Sequence, residues 1–401
     1  MKVKKEFQRS SQREEKGITL VALVITIVIL IILAVVAINA AFGDNGLISQ
    51  AEMARDYQAN ADATDSKLLN DATEYIDGII GGNGSGGEEE PSTPSTVEDA
   101  KNSGDTFDDT TTIKDDLDND VTIPGGFHIA EDSGTKVEEG IVIEDDAGNQ
   151  FVWIPVGEYK VSESINAEGK LTNNLSRRTF TSSGATEVSG DSVIETYYYG
   201  EENENSVAKD QIEGFKTSSN SNGGFYIGRY EAGTDTERTT AGDELTMPLV
   251  QANKNAYVYV TRDQTKTQSE AMYSGNEFVT SELISSYAWD TALNFICQTN
   301  EEGYILATTT DSAYGNIGTS IKELTGAYEE DNYSNIYDFL GNCFEWTTGY
   351  SSIRYGNGIY GDCVTRGGYC NYSDGYAAIR GSNGADSCGY ESSFRIQLYI
   401  K

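Results

Sequence analysis

An uncharged apolar run, Ile18 to Phe42 (ITLVALVITIVILIILAVVAINAAF), follows directly on a charged head and limits what the chain can do with its first segment. About twenty-five residues at ~1.5 Å rise each are enough to cross a hydrocarbon core of ~30 Å as a helix. Upstream, Lys2, Lys4, Lys5, Arg9, Arg13 and Lys16 outnumber Glu6, Glu14 and Glu15. A net-positive leader stays on the cytoplasmic side, so the chain is expected to cross once, with everything beyond the run outside the cell. A secretory signal has the same order of charges, and the Ala-rich VVAINAAF offers small residues for cleavage. Against that reading, the run is long and a helical pattern continues through GLISQAEMARDYQANADATDSKLLNDATEYIDGII. Residues 18–80 therefore read as one helix, apolar first and amphipathic later.

The texture then breaks twice. GGNGSGGEEEPSTPSTV (81–97) combines glycines, acids and two of the chain's five prolines, which disfavours helix and packed strand alike. The Asp- and Thr-rich TFDDTTTIKDDLDND extends that character, so 81–125 is expected to be a disordered tether. Its acids match no EF-hand spacing. Beyond it, GIVIEDDAGNQFVWIPVG reads as two strands about an Asp-Ala-Gly-Asn turn, and GGFYIGRYEAG as a glycine-bracketed strand. SSYAWDTALNFICQ spaces Trp289, Leu293 and Ile296 as one face of a helix. The fold class expected is α+β: a long N-terminal helix, a flexible linker, and a C-terminal domain (126–401) of small sheets, few helices and much ordered loop.

A net charge of −36 excludes nucleic acid, and anionic lipid headgroups, as natural partners. The aromatic content is Tyr-heavy, 25 Tyr against 13 Phe and 3 Trp, which suits contact with other molecules. The five cysteines, Cys297, Cys343, Cys363, Cys370 and Cys388, are an odd number and contain no C-x-x-C pair. A disulfide outside the cell is compatible with them, in a pairing the sequence does not specify.

Two family resemblances follow. The charged head, the Gly17–Ile18 junction and the long helix resemble type IV pilins and pseudopilins. This implies a leader of residues 1–17 cut by prepilin peptidase after Gly17, an N-methylated Ile18, and assembly with other pilin subunits by the pilus machinery. Ala22 stands where that family carries an acidic residue used in assembly. The C-terminal part resembles the formylglycine-generating enzyme and sulfatase-modifying-factor family, whose domain is a large variant of the C-type lectin fold. The likeness lies in FVWIPVG (151–157), GFYIGRYEAG (224–233), NIYDFLGNCFEW (335–346), and VTRGGY (364–369) followed by SSFRI (392–396). The family's "L-P-T-E-A-E-W-E" block has no counterpart. The resemblance implies a structural calcium site at Asp338, Asn342 and Glu345, although the same residues could instead cap the turn and pair with a cation. No other cofactor is required.

Enzymes of that family hold copper with two cysteines downstream of R-G-G, whereas Cys370 and Cys388 stand eighteen residues apart and off that spacing. Relatives that bind iron use several histidines, and this chain has only His128. The expectation is therefore no catalysis.

The 25 residues from 369 to 393, YCNYSDGYAAIRGSNGADSCGYESS, use Tyr, Ser, Gly, Asn, Asp, Ala and Cys apart from Ile379, Arg380 and Glu391. That alphabet gives rigid contact area together with adaptable hydrogen bonding. Adenine changes in an Asn codon yield Tyr, Asp, Ser, Cys, Gly, Ala, Ile or Asn, which accounts for 23 of the 25. This is similar to the variable region of diversity-generating retroelement target proteins, which use the same lectin-like fold. The resemblance implies a framework of Trp346, Arg366, Gly367, Gly368, Phe394 and Arg395. It implies a ligand-facing set of Tyr369, Asn371, Tyr372, Ser373, Asp374, Tyr376, Ser382, Asn383, Asp386, Ser387 and Tyr390.

The expected function is a membrane-anchored, surface-displayed pilin-like protein whose C-terminal domain binds an extracellular protein, glycan or phage component. A minor structural pilin without a ligand and a formylglycine-generating-type oxidoreductase are the alternatives.

Overall fold

The computed structural model describes residues 93–188, 202–351, 354–355, 358–359 and 362–401. The cleavage junction Gly17–Ile18, the apolar run and the rest of the expected helix lie outside the described residues. Among the described residues no helix is long and apolar enough to cross a membrane.

The C-terminal fold is mixed α and β, with more sheet than helix. Its centre is a six-stranded sheet ordered Val279–Leu283, Ile396–Ile400, Gly224–Gly228, Gln150–Pro155, Val142–Asp145 and Phe127–Ile129, with each neighbouring pair antiparallel. Phe151, Val152, Trp153 and Ile154 are all fully buried, as a strand covered on both faces requires. Trp153 pairs in register with Tyr226 and their rings meet edge to face at 5.0 Å. On the opposite face, reached by the alternation of a strand, Phe225 meets Phe215 of the helix Glu202–Ser221 at 5.0 Å. The expected Asp-Ala-Gly-Asn turn joins Val142–Asp145 to Gln150–Pro155. It is pinned by the Asp145 carboxylate, which accepts from the Ala147 and Asn149 amides.

A smaller sheet carries Gly381–Asn383, Asp362–Arg366, Phe344–Ser351 and Ser392–Phe394, in that order. The last pairing is parallel. The chain therefore leaves this sheet at Phe394 and enters the central one at Ile396, with Arg395 at the crossing. The helix Ser286–Thr299 packs between the two sheets' strands. Ser285 caps it, accepting from the Ala288 amide at 3.1 Å, and Trp289, Leu293 and Ile296 are buried as their spacing predicts.

The expectation of a disordered tether through residue 125, with a domain starting at 126, is corrected. Residues from 93 onward already belong to the folded unit. Thr96 caps a helix at Val97–Ser103, and Thr111–Lys114 pairs with Asp120–Ile123. Val97, Ala100, Phe107, Ile113, Val121 and Ile123 are buried. The acids that suggested disorder include Asp115, whose carboxylate accepts from the Leu117, Asn119 and Val137 amides and from the Asn119 side chain at 2.7–2.9 Å. A carboxylate that organises a turn in this way has the same composition signature as a solvated one.

Candidate functional site

The candidate site is the segment 369–393, and its construction starts at Arg366. After that residue, Gly367 and Gly368 take φ of +89° and +80°, the left-handed region that a side chain disfavours. These two residues turn the chain out of the sheet. A Cβ on Gly368 would also press against the Gly375 backbone at 3.1 Å, so the outgoing and returning turns pack together only as glycines.

Backbone groups then hold the loop to the framework. Cys370 N–H donates to the Asn342 carbonyl (3.1 Å), and the Cys370 carbonyl accepts from Ser320 N–H (2.8 Å). Trp289 Nε1–H donates to the Ala377 carbonyl (3.1 Å), and Ala378 N–H to the Ala307 carbonyl (3.0 Å). Near the far end, the Gly389 carbonyl accepts from Tyr259 N–H (2.9 Å) and the Glu391 carbonyl from Phe344 N–H (2.8 Å).

The side chains divide by burial. Asn371, Tyr372, Ser373, Asp374, Asp386, Ser387 and Tyr390 are exposed, and Tyr369, Tyr376 and Asn383 are half-buried. The side chain of Ser382 lies outside the described ones. All six framework residues, Trp346, Arg366, Gly367, Gly368, Phe394 and Arg395, are buried. Four rings gather on the outer face. Tyr369 and Tyr372 are near-parallel at 5.9 Å, Phe344 tilts against both at 5.2 and 5.7 Å, and Tyr390 meets Tyr369 edge-on at 6.3 Å.

Buried charge fixes both ends of the segment. Arg366 pairs with Asp290 at 2.7 Å, both fully buried, and Arg366 also lies over the Trp289 ring. Arg380 reaches the second Asp290 oxygen at 2.5 Å. Arg395 grips Glu345 through Nε and Nη2, and donates Nη1 and Nη2 to the Gly228 and Tyr337 carbonyls, both at 2.8 Å. Sequence reasoning missed Asp290, Arg380 and Phe344. The one available signal was an aspartate beside Trp289 on a helix whose other faces bury apolar residues, a position that implies a buried cation.

Asp338, Asn342 and Glu345 do come together, beside Glu231 and Asp331, and all five are buried. Asp338 accepts the Gly326 amide at 2.9 Å. Asn342 donates to Glu231 and accepts from Asn316 and the Glu323 amide, each at 2.9 Å. Glu345 is held by Arg395. Each proposed calcium ligand is thus engaged by protein donors, and among the described residues no group of three His, Cys, Asp or Glu side chains is arranged to hold a metal ion. Within this set Arg395 already occupies Glu345, so a cation at Glu345 would have to displace it. Burial pushes Asp338 up to about 6 and Glu345 up to about 7, in both cases against the pull of Arg395. Cys297, Cys343, Cys363 and Cys370 lie in the interior and Cys388 is half-buried.

No family model matches the chain, and no curated protein matches it. Among solved structures the chain is weakly similar to CarF, at 13% identity and a TM-score of 0.32, covering 44% of this chain and 87% of that one. It is also weakly similar to PvdO from Pseudomonas aeruginosa, at 11% identity and a TM-score of 0.31, covering 64% and 97%.

Proposed function

We propose that the protein is a membrane-anchored, pilin-like surface protein whose C-terminal lectin-type domain binds an extracellular ligand through residues 369–393, without making or breaking a bond. One observation carries the binding half: the loop is tied down mainly through its backbone, while Asn371, Tyr372, Ser373, Asp374, Asp386, Ser387 and Tyr390 are exposed. Of the outward set, Asn371 and Asn383 make weak bonds to Ser320 and Thr365 (3.3 and 3.4 Å). A surface free of structural duty can be exchanged residue by residue, as adenine-directed diversification would require.

Deep sequencing of codons 364–396 across a population of source cells tests this reading. Substitutions are expected to crowd into 369–393 at adenine-derived positions while Arg366, Gly367, Gly368, Phe394 and Arg395 stay fixed. An invariant stretch would remove diversification and leave a dedicated binding loop. The anchor half rests on the apolar run and its leader. Mass spectrometry of the mature chain should find a methylated Ile18, and a cut near Ala40 or an intact leader would reject prepilin processing and the pilin partners it brings.

A further inference from the structure

The ring cluster has a fixed half and an exchangeable half. Tyr369, Tyr372 and Tyr390 belong to the adenine-derived alphabet, whereas Phe344 lies in the strand Phe344–Ser351 and Glu391 is outside that alphabet. Tyr372 and Tyr390 are 37% and 45% exposed, among the most exposed large apolar side chains described. The Glu391 carboxylate folds back over Gly389, where a Cβ would collide with it. Its field reaches Tyr369, whose hydroxyl is pushed up first by burial and then by Tyr390 and Glu391.

The exposed charge that the segment itself carries is acidic. Asp374 and Asp386 are exposed and Glu391 half-buried, and among the described residues none of the three forms an ion pair. The segment's sole cation, Arg380, is turned inward to Asp290. Outside the segment, the half-buried Lys322 is near enough for its field to fall on the buried Cys343 and Cys370 thiols. Ring faces carry negative potential and hold a guanidinium or ammonium group, more strongly where water is partly excluded. Carboxylates that lack partners supply the remaining attraction and steer a cation inward.

We propose that this face takes a Lys or Arg side chain from a basic segment of a protein partner. Phe344 and Glu391 form the constant cation seat, and Tyr369, Tyr372 and Tyr390 close it. This rests on the reading of 369–393 as the binding surface and names the class of ligand that surface selects in this chain.

The test is fluorescence-anisotropy titration of the full chain with a labelled tetra-arginine peptide, alongside tetra-glutamate and the neutral sugar chitotetraose. Tetra-arginine should bind with an affinity that falls as salt rises, and tetra-glutamate should not bind. Tyr372→Ala and Glu391→Gln should each weaken binding about tenfold or more. Tyr372→Phe should retain it, and so should Glu168→Gln, which removes an exposed charge elsewhere. The inference is overturned by absence of tetra-arginine binding. It is equally overturned by binding that ignores Tyr372→Ala and Glu391→Gln, since that would be adsorption to an anionic protein. Tyr372-dependent binding of chitotetraose in place of tetra-arginine would overturn the cationic class while leaving the loop as the binding surface.

Discussion

Three carboxylate oxygens, both of Asp331 and Oε2 of Glu231, lie in the interior without a close, well-aligned hydrogen-bond donor among the described residues. Burial, then the neighbouring Asp338 charge, pushes both groups well above the ordinary carboxylate range, and burial pushes Asp338 up to about 6. Each binds its proton more tightly in the folded than in the unfolded chain. Between the ordinary carboxylate pKa of about 4 and these raised values, the folded state therefore holds more protons, and stability falls as pH rises through that window. The melting temperature should be higher at pH 5 than at pH 8, and Asp331→Asn should flatten the slope by replacing a titrating group with a neutral one. Unchanged slopes in thermal scans of the variant would mean that surface repulsion in this acidic chain causes the effect instead. Calcium offers a sharp contrast, since a rise in melting temperature at pH 8 on adding calcium, reversed by chelator, would show the ion entering where Arg395 now serves.

At the scale of elements, the sequence was most legible where apolar residues are dense. The strands about the Asp-Ala-Gly-Asn turn, the strand Gly224–Gly228 and the helix Ser286–Thr299 carry runs of Val, Ile, Phe and Trp that fit few other structures. The segment 93–125 was illegible because its core contribution is dilute, with Val97, Phe107, Ile113, Val121 and Ile123 scattered among acids. Each such burial contributes about 1.5–3 kcal/mol, so the segment is a structural part of the domain. A chain trimmed to 126–401 should melt at least about 10 °C below one trimmed to 93–401, or fail to fold, in circular-dichroism scans. Equal melting curves would return the segment to the status of a tether. The helix Arg262–Met272 escaped notice for a related reason: its buried residues, Arg262, Thr265 and Ser269, are polar, leaving no apolar stripe to read.

Across the whole molecule, the loop's alphabet was legible and its attachment was not. Tyr, Ser, Gly and Asn in series are the alphabet expected of a contact surface, and every residue of the expected ligand-facing set whose side chain is described is exposed or half-buried. The clamps were hidden because they join distant positions. Asp290 meets Arg366 and Arg380, and Glu345 meets Arg395, pairings that only the folded chain brings together. Removing one member of such a buried pair costs about 3–5 kcal/mol. With the chain crossing from one sheet to the other at Arg395, the loop begins and ends on anchors outside its own alphabet. Under the proposed diversification, heritable risk and heritable novelty would fall on different codons. Exchange among the exposed positions would leave these anchors in place, whereas one change at Asp290 would disable every version of the outer face at once.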